Sequence, residues 1–572
     1  MPKKGKTCLA ADEPRSPLIE NSWLIRVHRR LSAAVGCVSG FLHYPAKPNL
    51  PRLSPLLAAV AFAFLAAAPP SNQFREPYRL QFHFSPPKNW TNDPNGLVYY
   101  KGEYHLFFQY NPFGTQWGHM SWGHAVSADL VHWKPLPVAI PEENGIMIFS
   151  GSAVVDAHNS SGLCKSDEPK DPSCLIAIYA GHTDTLQTQN IAFSNDRGRT
   201  FTKYSGNPVI DLHLKDFRDP KVLWHEPSKQ WIMATAVSAE KKIRFFASTD
   251  LIHWRQLSDF GPEGATGGVW ECPDLFELPV EGTKETRWVL VVNINPGGIA
   301  GGSGGQYFIG RFDGTKFVND NPPGRALWLD YGKDYYAAIS FFGAPQHDTR
   351  RVMLGWYSNW LYARDTPETT WRGAMAMPRS LVLRNTPVGM RVFQWPVHEL
   401  DALRTQIYAQ RTLNIDAFNQ RMTRDRFQGN AIEIEAEFFP ADAKDFGVSV
   451  LRSAAGDQEG AAAHQETVIG IDTAARQVYI DRTHSGNVAF NPAFPSRDAG
   501  PIHLGDTVKL HVWVDWSGVE VFVNDGETTL ADRVFPAASS KGVQFFSHGG
   551  HARIKTLHIW RMASAWTEQA RR

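Results

Sequence analysis

Cysteine is scarce, with five residues in 572. Their spacing resembles no zinc site: Cys272 stands alone, and no His-x-x-x-His pair lies near a cysteine. Charge of one sign is missing as well. The 58 Lys and Arg against 57 Asp and Glu leave a formal +1. That balance excludes an acidic disordered chain and argues against non-specific nucleic-acid binding, where a clear basic excess is expected. Nor is there an apolar run long enough to span a membrane. LLAAVAFAFLAAA at 56–68 holds thirteen residues, against about 20 for a helix that crosses a bilayer.

The near-zero charge hides two unlike parts. Residues 1–70 carry nine basic and three acidic residues, and the remaining 502 carry 49 basic and 54 acidic ones. The short apolar run follows Arg26, Arg29, Arg30 and Arg52 and ends in Ala66-Ala67-Ala68, a small-residue cleavage candidate. This suits a signal peptide. About 50 residues precede it, more than a typical signal carries, and no Met between Met1 and Met120 could begin a shorter one. Either the start lies at a non-Met codon or residues 1–50 form a cytoplasmic tail. Residues 1–73 are therefore expected to be a tail with a signal peptide or anchor. The protein is expected to be secreted or periplasmic, with an uncleaved membrane anchor as the alternative. Cys164 and Cys174 bracket the polar stretch KSDEPKDPS, a loop closed by a disulfide in an oxidising compartment.

Helical periodicity is almost absent after residue 74. Short β-type runs such as GLVYY and HLFFQY alternate with turns, and 84 Gly and Pro with 69 aromatics punctuate and fill them. Segments recur. Ser127-Ala128-Asp129-Leu130-Val131-His132-Trp133 returns as Ser248-Thr249-Asp250-Leu251-Ile252-His253-Trp254, and more loosely at Ser194–Phe201. Each reads as a hairpin turn whose Asp bonds its own backbone and whose aromatic plugs the core. Strand openings recur too, at Asp93-Pro94, Ser150-Gly151, Asp219-Pro220, Glu271-Cys272-Pro273 and Tyr335-Tyr336, spaced 57, 69, 52 and 64 residues apart. A quasi-period near sixty with about four strands per unit is a propeller blade, and five units fill 74–400.

In a propeller the first strand of each blade lines the central channel, so Asp93, Asp219 and Glu271 converge at one mouth. Carboxylates flanked by Trp suit glycosidic bond cleavage: one attacks or activates water, another protonates the leaving oxygen, and aromatics stack on sugar faces.

At these residues the sequence resembles glycoside hydrolase family 32: invertases, exo-inulinases, levanases and fructan exohydrolases. The motifs are Trp90-Thr91-Asn92-Asp93-Pro94-Asn95-Gly96, Phe108-Gln109-Tyr110-Asn111-Pro112, Trp117–His124, Phe149-Ser150-Gly151-Ser152, Phe217-Arg218-Asp219-Pro220 and Trp270-Glu271-Cys272-Pro273-Asp274, with Asp330-Tyr331-Gly332-Lys333 later. The resemblance implies Asp93 as nucleophile, Glu271 as general acid and base, and Asp219 as stabiliser of the transition state. It implies sugar contacts from Asn92, Gln109, Trp117, Phe149, Ser150 and Arg218, and places the Asp330/Lys333 pair near the leaving-group side. It implies exo-acting release of terminal fructose from sucrose, inulin and levan with retention, hence carboxyls about 5–5.5 Å apart. Glu271 must be protonated near neutral pH to act as acid, with burial by Trp270 and repulsion from the two Asp as causes. No metal and no organic cofactor is implied, since carboxylates suffice. Partners are β-fructoside substrates, with no nucleic acid and no membrane insertion beyond the signal or anchor.

Residues 401–426 are polar and mixed, expected as a linker with a short helix. Residues 427–572 alternate, as in Ile432–Phe438 and Val519–Val523, the latter meeting an Asn524-Asp525-Gly526 turn. An antiparallel β-sandwich follows, with a flexible insertion at 454–466. The expected fold is all-β: a five-bladed β-propeller and then a C-terminal β-sandwich. The rivals fit less well. The inverting arabinanases and xylosidases lack the Asn-Asp-Pro-Asn-Gly and Glu-Cys-Pro contexts. Sialidases need three channel arginines where only Arg218 is well placed. A catalytically dead fructan-binding propeller would not keep all three acids. Transfer of fructose to a sugar instead of water uses the same residues.

Overall fold

Five sheets of antiparallel strands follow one another along the chain, each opened by a long inner strand. In the computed structural model, the described residues are 73–165, 171–454 and 464–566. The apolar run at 56–68 and most of the 454–466 insertion lie outside them. The inner strands are Asn89–Tyr100, Met147–Asp156, Phe217–His225, Val269–Pro279 and Tyr336–Ser340. Each touches the next, and the fifth touches the first, so the five sheets are the blades of a closed propeller. The ring is fastened where the short strand Trp371–Arg372 pairs in parallel with Asn89–Trp90.

All five inner strands carry the same irregularity at the same place. Between Thr91 and Pro94, Ile148 and Gly151, Arg218 and Lys221, Glu271 and Asp274, and Tyr336 and Ile339, one extra residue is inserted against the neighbouring strand. Such a bulge breaks the ladder and re-aims side chains. It also explains the acid-Pro pairs. Proline cannot donate to a ladder, and a bulge is where a strand tolerates it. The left-handed backbone of Asp219 (φ 62°), Cys272 (φ 42°) and Ala337 (φ 52°) falls at these points. Three of the inner strands thus place a strained residue where the channel opens.

Neighbouring blades are tied by side chains next to the bulges. Asn95 Oδ1 accepts from Gly151 N at 3.2 Å, and Ser152 Oγ donates to Pro220 O at 2.9 Å. Asp274 Oδ2 accepts from Ser340 N at 2.5 Å. On the outer rim the recurring turns behave as their sequence implies. Asp129 accepts from Val131 N and His132 N at 3.0 and 2.8 Å, and Asp250 from Ile252 N and His253 N at the same distances. Trp133 is buried in the core beneath the first turn.

Two further sheets, of six and five strands, form the β-sandwich. Ile432, Ile434, Ala436 and Phe438 face Val448, Val450 and Ile469 inside it. The Asn524-Asp525-Gly526 turn takes positive φ throughout and, with Glu527, makes the four-residue loop between the paired residues Val523 and Thr528. One expectation is corrected here. Residues 401–426 are not a linker: Arg404–Asn414 is an edge strand of the six-stranded sheet, paired along its length with Arg553–Met562. The helix Ile415–Arg424 follows, capped by Asn414, whose side chain accepts from Asp416 N and Ala417 N. An edge strand with one wet face needs few apolar residues, so its composition imitates a linker.

The sandwich is bolted to the propeller by buried ions. Arg379 donates to Asp330 at 2.7 Å and to Glu520 at 2.6 Å, and Arg482 and Arg533 reach Asp334 and Glu368, each at 2.6 Å. His83, on the segment before the first blade, lies between Asp515 and Glu520 at 2.8 and 3.0 Å. Burial opposes its charge, yet the two carboxylates hold its pKa above the ordinary value. Among the described residues, no helix is long and apolar enough to cross a membrane.

Candidate active site

The bulges deliver Asp93, Asp219 and Glu271 to one depression of about 470 Å³ at the channel mouth. Asn92, Gln109, Trp117, Phe149, Ser150 and Arg218 line it as well. Asp93 is held on both oxygens: Asn92 Nδ2 donates to Oδ1 at 2.9 Å and Ser150 Oγ to Oδ2 at 2.7 Å. Trp90 Nε1 donates to Asn92 Oδ1 at 2.8 Å, which fixes the direction of that amide. Burial raises the Asp93 pKa, and Glu271 adds repulsion, against the lowering hydrogen bonds of Asn92 and Ser150.

Asp219 sits deeper in the same charge cluster. Its Oδ2 accepts from Cys272 N at 2.9 Å. Burial pushes its pKa up to about 7, with Glu271 and Asp93 adding to the rise and Arg218 opposing it. The Cys272 thiol lies 3.5 Å from Asp93 Oδ2 and 3.6 Å from Asp219 Oδ2. Burial, followed by the nearby carboxylates, pushes that thiol well up, so it remains a proton donor shared between the two acids.

Glu271 is the most open of the three, its side chain 19% exposed. The Arg218 Nε donates to Glu271 Oε1 at 3.2 Å, and the Tyr336 hydroxyl donates to Oε2. Burial works against the charge of Arg218, but Glu271, Asp219 and Asp216 outweigh it and hold the guanidinium ionised. Gln187 Oε1 and Asp216 Oδ1 take its Nη1 at 3.1 and 3.0 Å. The fork is therefore aimed from behind.

Aromatic rings wall the depression. Phe149 stacks on His182 at 4.0 Å and meets Trp117 edge-on at 6.1 Å. Trp360 stacks on Trp90 at 5.9 Å, and the Arg364 guanidinium lies 5.7 Å above the Trp117 ring. The combination is one buried end built from carboxyls and amides, and one open end edged by rings and an arginine. Such a cup suits a small polyhydroxylated group at the end of a larger molecule.

Two residues expected near the leaving group are elsewhere. Asp330 and Lys333 do not line the depression. Asp330 is buried at the sandwich interface, where its oxygens take Arg379 Nη1 at 2.7 Å, Thr529 Oγ1 at 2.9 Å and Ala531 N at 2.9 Å. Lys333 N donates to Asp532 there, at 2.7 Å. Both belong to the interdomain lock, because a carboxylate this buried needs a permanent cation. Conversely, Asn295, Trp360 and Arg364 line the mouth without having been singled out, and neither had Tyr336 as a partner of Glu271. For Tyr336 a signal existed, since it occupies the fifth blade's position in the series of strand openings. Cys164 and Cys174 are joined in a disulfide at the end of the second blade's first hairpin.

Comparison with known proteins agrees with this arrangement. The family model "Glycosyl hydrolases family 32 N-terminal domain" matches residues 83–396, and "Glycosyl hydrolases family 32 C terminal" matches 399–561. A levanase of Bacillus subtilis is 47% identical over 515 residues, covering 89% of this chain and 74% of its own. An extracellular exo-inulinase of Aspergillus awamori is 38% identical over 553 residues, covering 90% of this chain and all of its own. An invertase of Schizosaccharomyces pombe is 37% identical over 493 residues, covering 82% of each. The crystal structure of the Aspergillus awamori exo-inulinase superposes with a TM-score of 0.77 at 37% identity, over 86% of this chain and all of that one. Propeller and sandwich are thus matched in order and nearly end to end, and the chain belongs to glycosyl hydrolase family 32.

Proposed function

We propose that the protein is an exo-acting β-fructofuranosidase that removes terminal fructose from sucrose, inulin and levan with retention of configuration. The observation that carries this is the convergence of three carboxyls from three blades at the closed end of one cup. The levanase, exo-inulinase and invertase among its relatives support the substrate class.

Asp93 is the nucleophile. Its carboxylate attacks the anomeric carbon as the glycosidic bond breaks, forming a fructosyl ester. Glu271 gives its proton to the leaving oxygen, so the alcohol departs neutral. Glu271, now a carboxylate, takes a proton from water, and that water opens the ester to return Asp93 and free fructose. Asp219 grips the sugar hydroxyls while positive charge builds at the anomeric carbon. Arg218 and Tyr336, both donating to Glu271, hold its carboxyl in place. Asn92 and Ser150 orient Asp93, and Gln109, Trp117 and Phe149 contact the bound ring.

The protein is exported. The apolar run at 56–68 and the word extracellular in the name of the Aspergillus relative support this reading. Side-by-side sugar release from sucrose, inulin and levan tests the function: fructose alone should appear from both polymers. Oligosaccharide products would indicate internal cleavage, and no release from any of the three would refute the reading.

A further inference from the structure

A depression of about 450 Å³ opens along the seam between the last two blades and the sandwich, and it shares no lining residue with the acidic cup. Arg325 and Arg391 line it from the propeller side. Arg325 lies between the short strands Phe317–Asn319 and Leu327–Trp328, and Arg391 lies in Gly389–Pro396, the edge strand of the fifth blade. Both reach the same turn. Arg325 Nη2 donates to Val388 O at 3.1 Å, and Arg391 Nη2 donates to that same oxygen at 2.9 Å. Two guanidiniums are therefore held side by side on one neutral carbonyl.

Nothing negative answers them. Among the described residues neither arginine has a carboxylate within ion-pair distance. Glu527 is the one acid on the lining, and its Oε2 takes His503 N at 3.2 Å and Asn524 Nδ2 at 3.1 Å on the sandwich side. Burial lowers the Arg391 pKa, and repulsion from Arg325 adds to the fall. Arg391 Nη1 donates to Met390 O at 2.7 Å, but Arg391 Nε and Arg325 Nε and Nη1 have no protein acceptor among the described residues and stay open to solvent. Two phenols stand beside them. The buried Tyr307 hydroxyl accepts from Val392 N at 3.2 Å, which leaves its own proton unused, and the Tyr331 hydroxyl has no hydrogen-bond partner among the described residues. Both phenols lie within the field of both guanidiniums. Donors thus gather at this end of the depression without an acceptor to match.

We infer that Arg325, Arg391, Tyr307 and Tyr331 form a binding site for the phosphate group of a small phosphate monoester. Charge selects the ligand. Two uncompensated guanidiniums are neutralised by a group of about −1.5 to −2 at neutral pH, which a phosphate monoester carries, whereas one carboxylate supplies half of that. Geometry agrees, because guanidinium forks and hydroxyls suit the several oxygens of a phosphate. Size selects an ester over the free ion. The depression lies in the range of sites for small organic molecules, and Trp328 and Ile502 add apolar wall beyond the arginines. The site joins propeller residues to the sandwich residues Ile502 and Thr528, so its occupant bridges the seam. Arg325 and Arg391 come from different blades, and only the meeting at Val388 brings them together.

The test is calorimetric titration of the full chain, in phosphate-free buffer of low ionic strength, with glucose 6-phosphate, inorganic phosphate, glucose and acetate. Glucose 6-phosphate should bind once per chain with a Kd below about 1 mM, at least as tightly as inorganic phosphate, and should raise the melting temperature. Arg325→Gln and Arg391→Gln should each weaken it by about 10–100-fold while fructose release stays unchanged. Arg311→Gln removes the same charge from an exposed position and should bind normally, as should Asp93→Ala. No saturable binding of glucose 6-phosphate up to about 10 mM would overturn the assignment. So would acetate or glucose binding as tightly, or affinity that survives both arginine substitutions or is lost in Asp93→Ala. If a substitution impairs folding, the unaltered chain decides. Saturating glucose 6-phosphate should protect Arg325 and Arg391 from phenylglyoxal, mapped by mass spectrometry, and equal labelling with and without it rejects the site.

Discussion

Arg218 Nε donates to Glu271 Oε1 at 3.2 Å, so the residue just before the third blade's acid clamps the acid of the fourth. The bulge shared by the inner strands makes this possible. It turns Asp219 and its neighbour in different directions, one under the sugar site and one across to the next blade.

Arg218→Lys keeps the charge but loses the fork. Gln187, Asp216 and Glu271 together use geometry that a single ammonium cannot reproduce. We expect kcat on sucrose to fall by about 10²-fold, an effect of the size expected for acid–base catalysis, with melting temperature nearly unchanged. Steady-state kinetics of the purified variant check this, and a kcat within twofold of the original would refute the clamp.

Asp219 carries a cost in stability at neutral pH. Its carboxyl is raised from 3.8 to about 7, so the folded state binds the proton more tightly than the unfolded state. That contribution is fully present below pH 3.8 and is lost as pH rises through 7. Asp219→Asn should therefore raise the melting temperature at pH 8, by up to about 4 °C, with no gain at pH 4, while abolishing fructose release. Thermal melts at the two pH values separate this from a general packing effect.

How far the sequence revealed the site follows from that bulge. Asp93, Asp219 and Glu271 stood out because proline beside an acid marks the irregularity that points each side chain into the channel. Trp360 and Arg364 did not, since they belong to the irregular stretch between Arg351–Trp356 and Trp371–Arg372, where no period operates. Asp330 looked like a site residue because its motif is local, whereas its partners Arg379 and Glu520 come from distant parts of the chain. The polar edge strand Arg404–Asn414 was hidden for a related reason: pairing, not burial of apolar residues, makes it a strand.

The interdomain role of Asp330 has a measurable consequence. Asp330→Asn weakens the lock on Arg379 and leaves a buried guanidinium partly uncompensated. Losing one partner of such a pair costs about 3–5 kcal/mol. The melting temperature should drop while the ratio of sucrose to inulin hydrolysis stays constant. A changed substrate ratio at unchanged stability would restore Asp330 to the leaving-group side.

The first blade carries an acid-sensitive element. His105 Nδ1 and His124 Nε2 face each other at 3.1 Å inside the blade. Burial pushes His105 down to about 4 and His124 well below its ordinary value. Each folded-state pKa is depressed, so the unfolded chain takes up protons first. Stability is full above pH 6.5 and falls as pH drops toward 4. For His105 alone the loss is on the order of 3 kcal/mol. His124→Gln should flatten this part of the stability–pH curve, measured by urea unfolding between pH 7 and pH 4.

The proposed chemistry turns on a covalent fructosyl ester at Asp93, formed within a cup completed by Asp219 and Glu271. Proton NMR of fructose in its first moments of release from a β-fructoside tests it most directly. Two successive inversions predict β-fructofuranose as the first product, followed by slow mutarotation, with no signal from Asp93→Ala. First-formed α-anomer would mean a single displacement by water and would contradict the account.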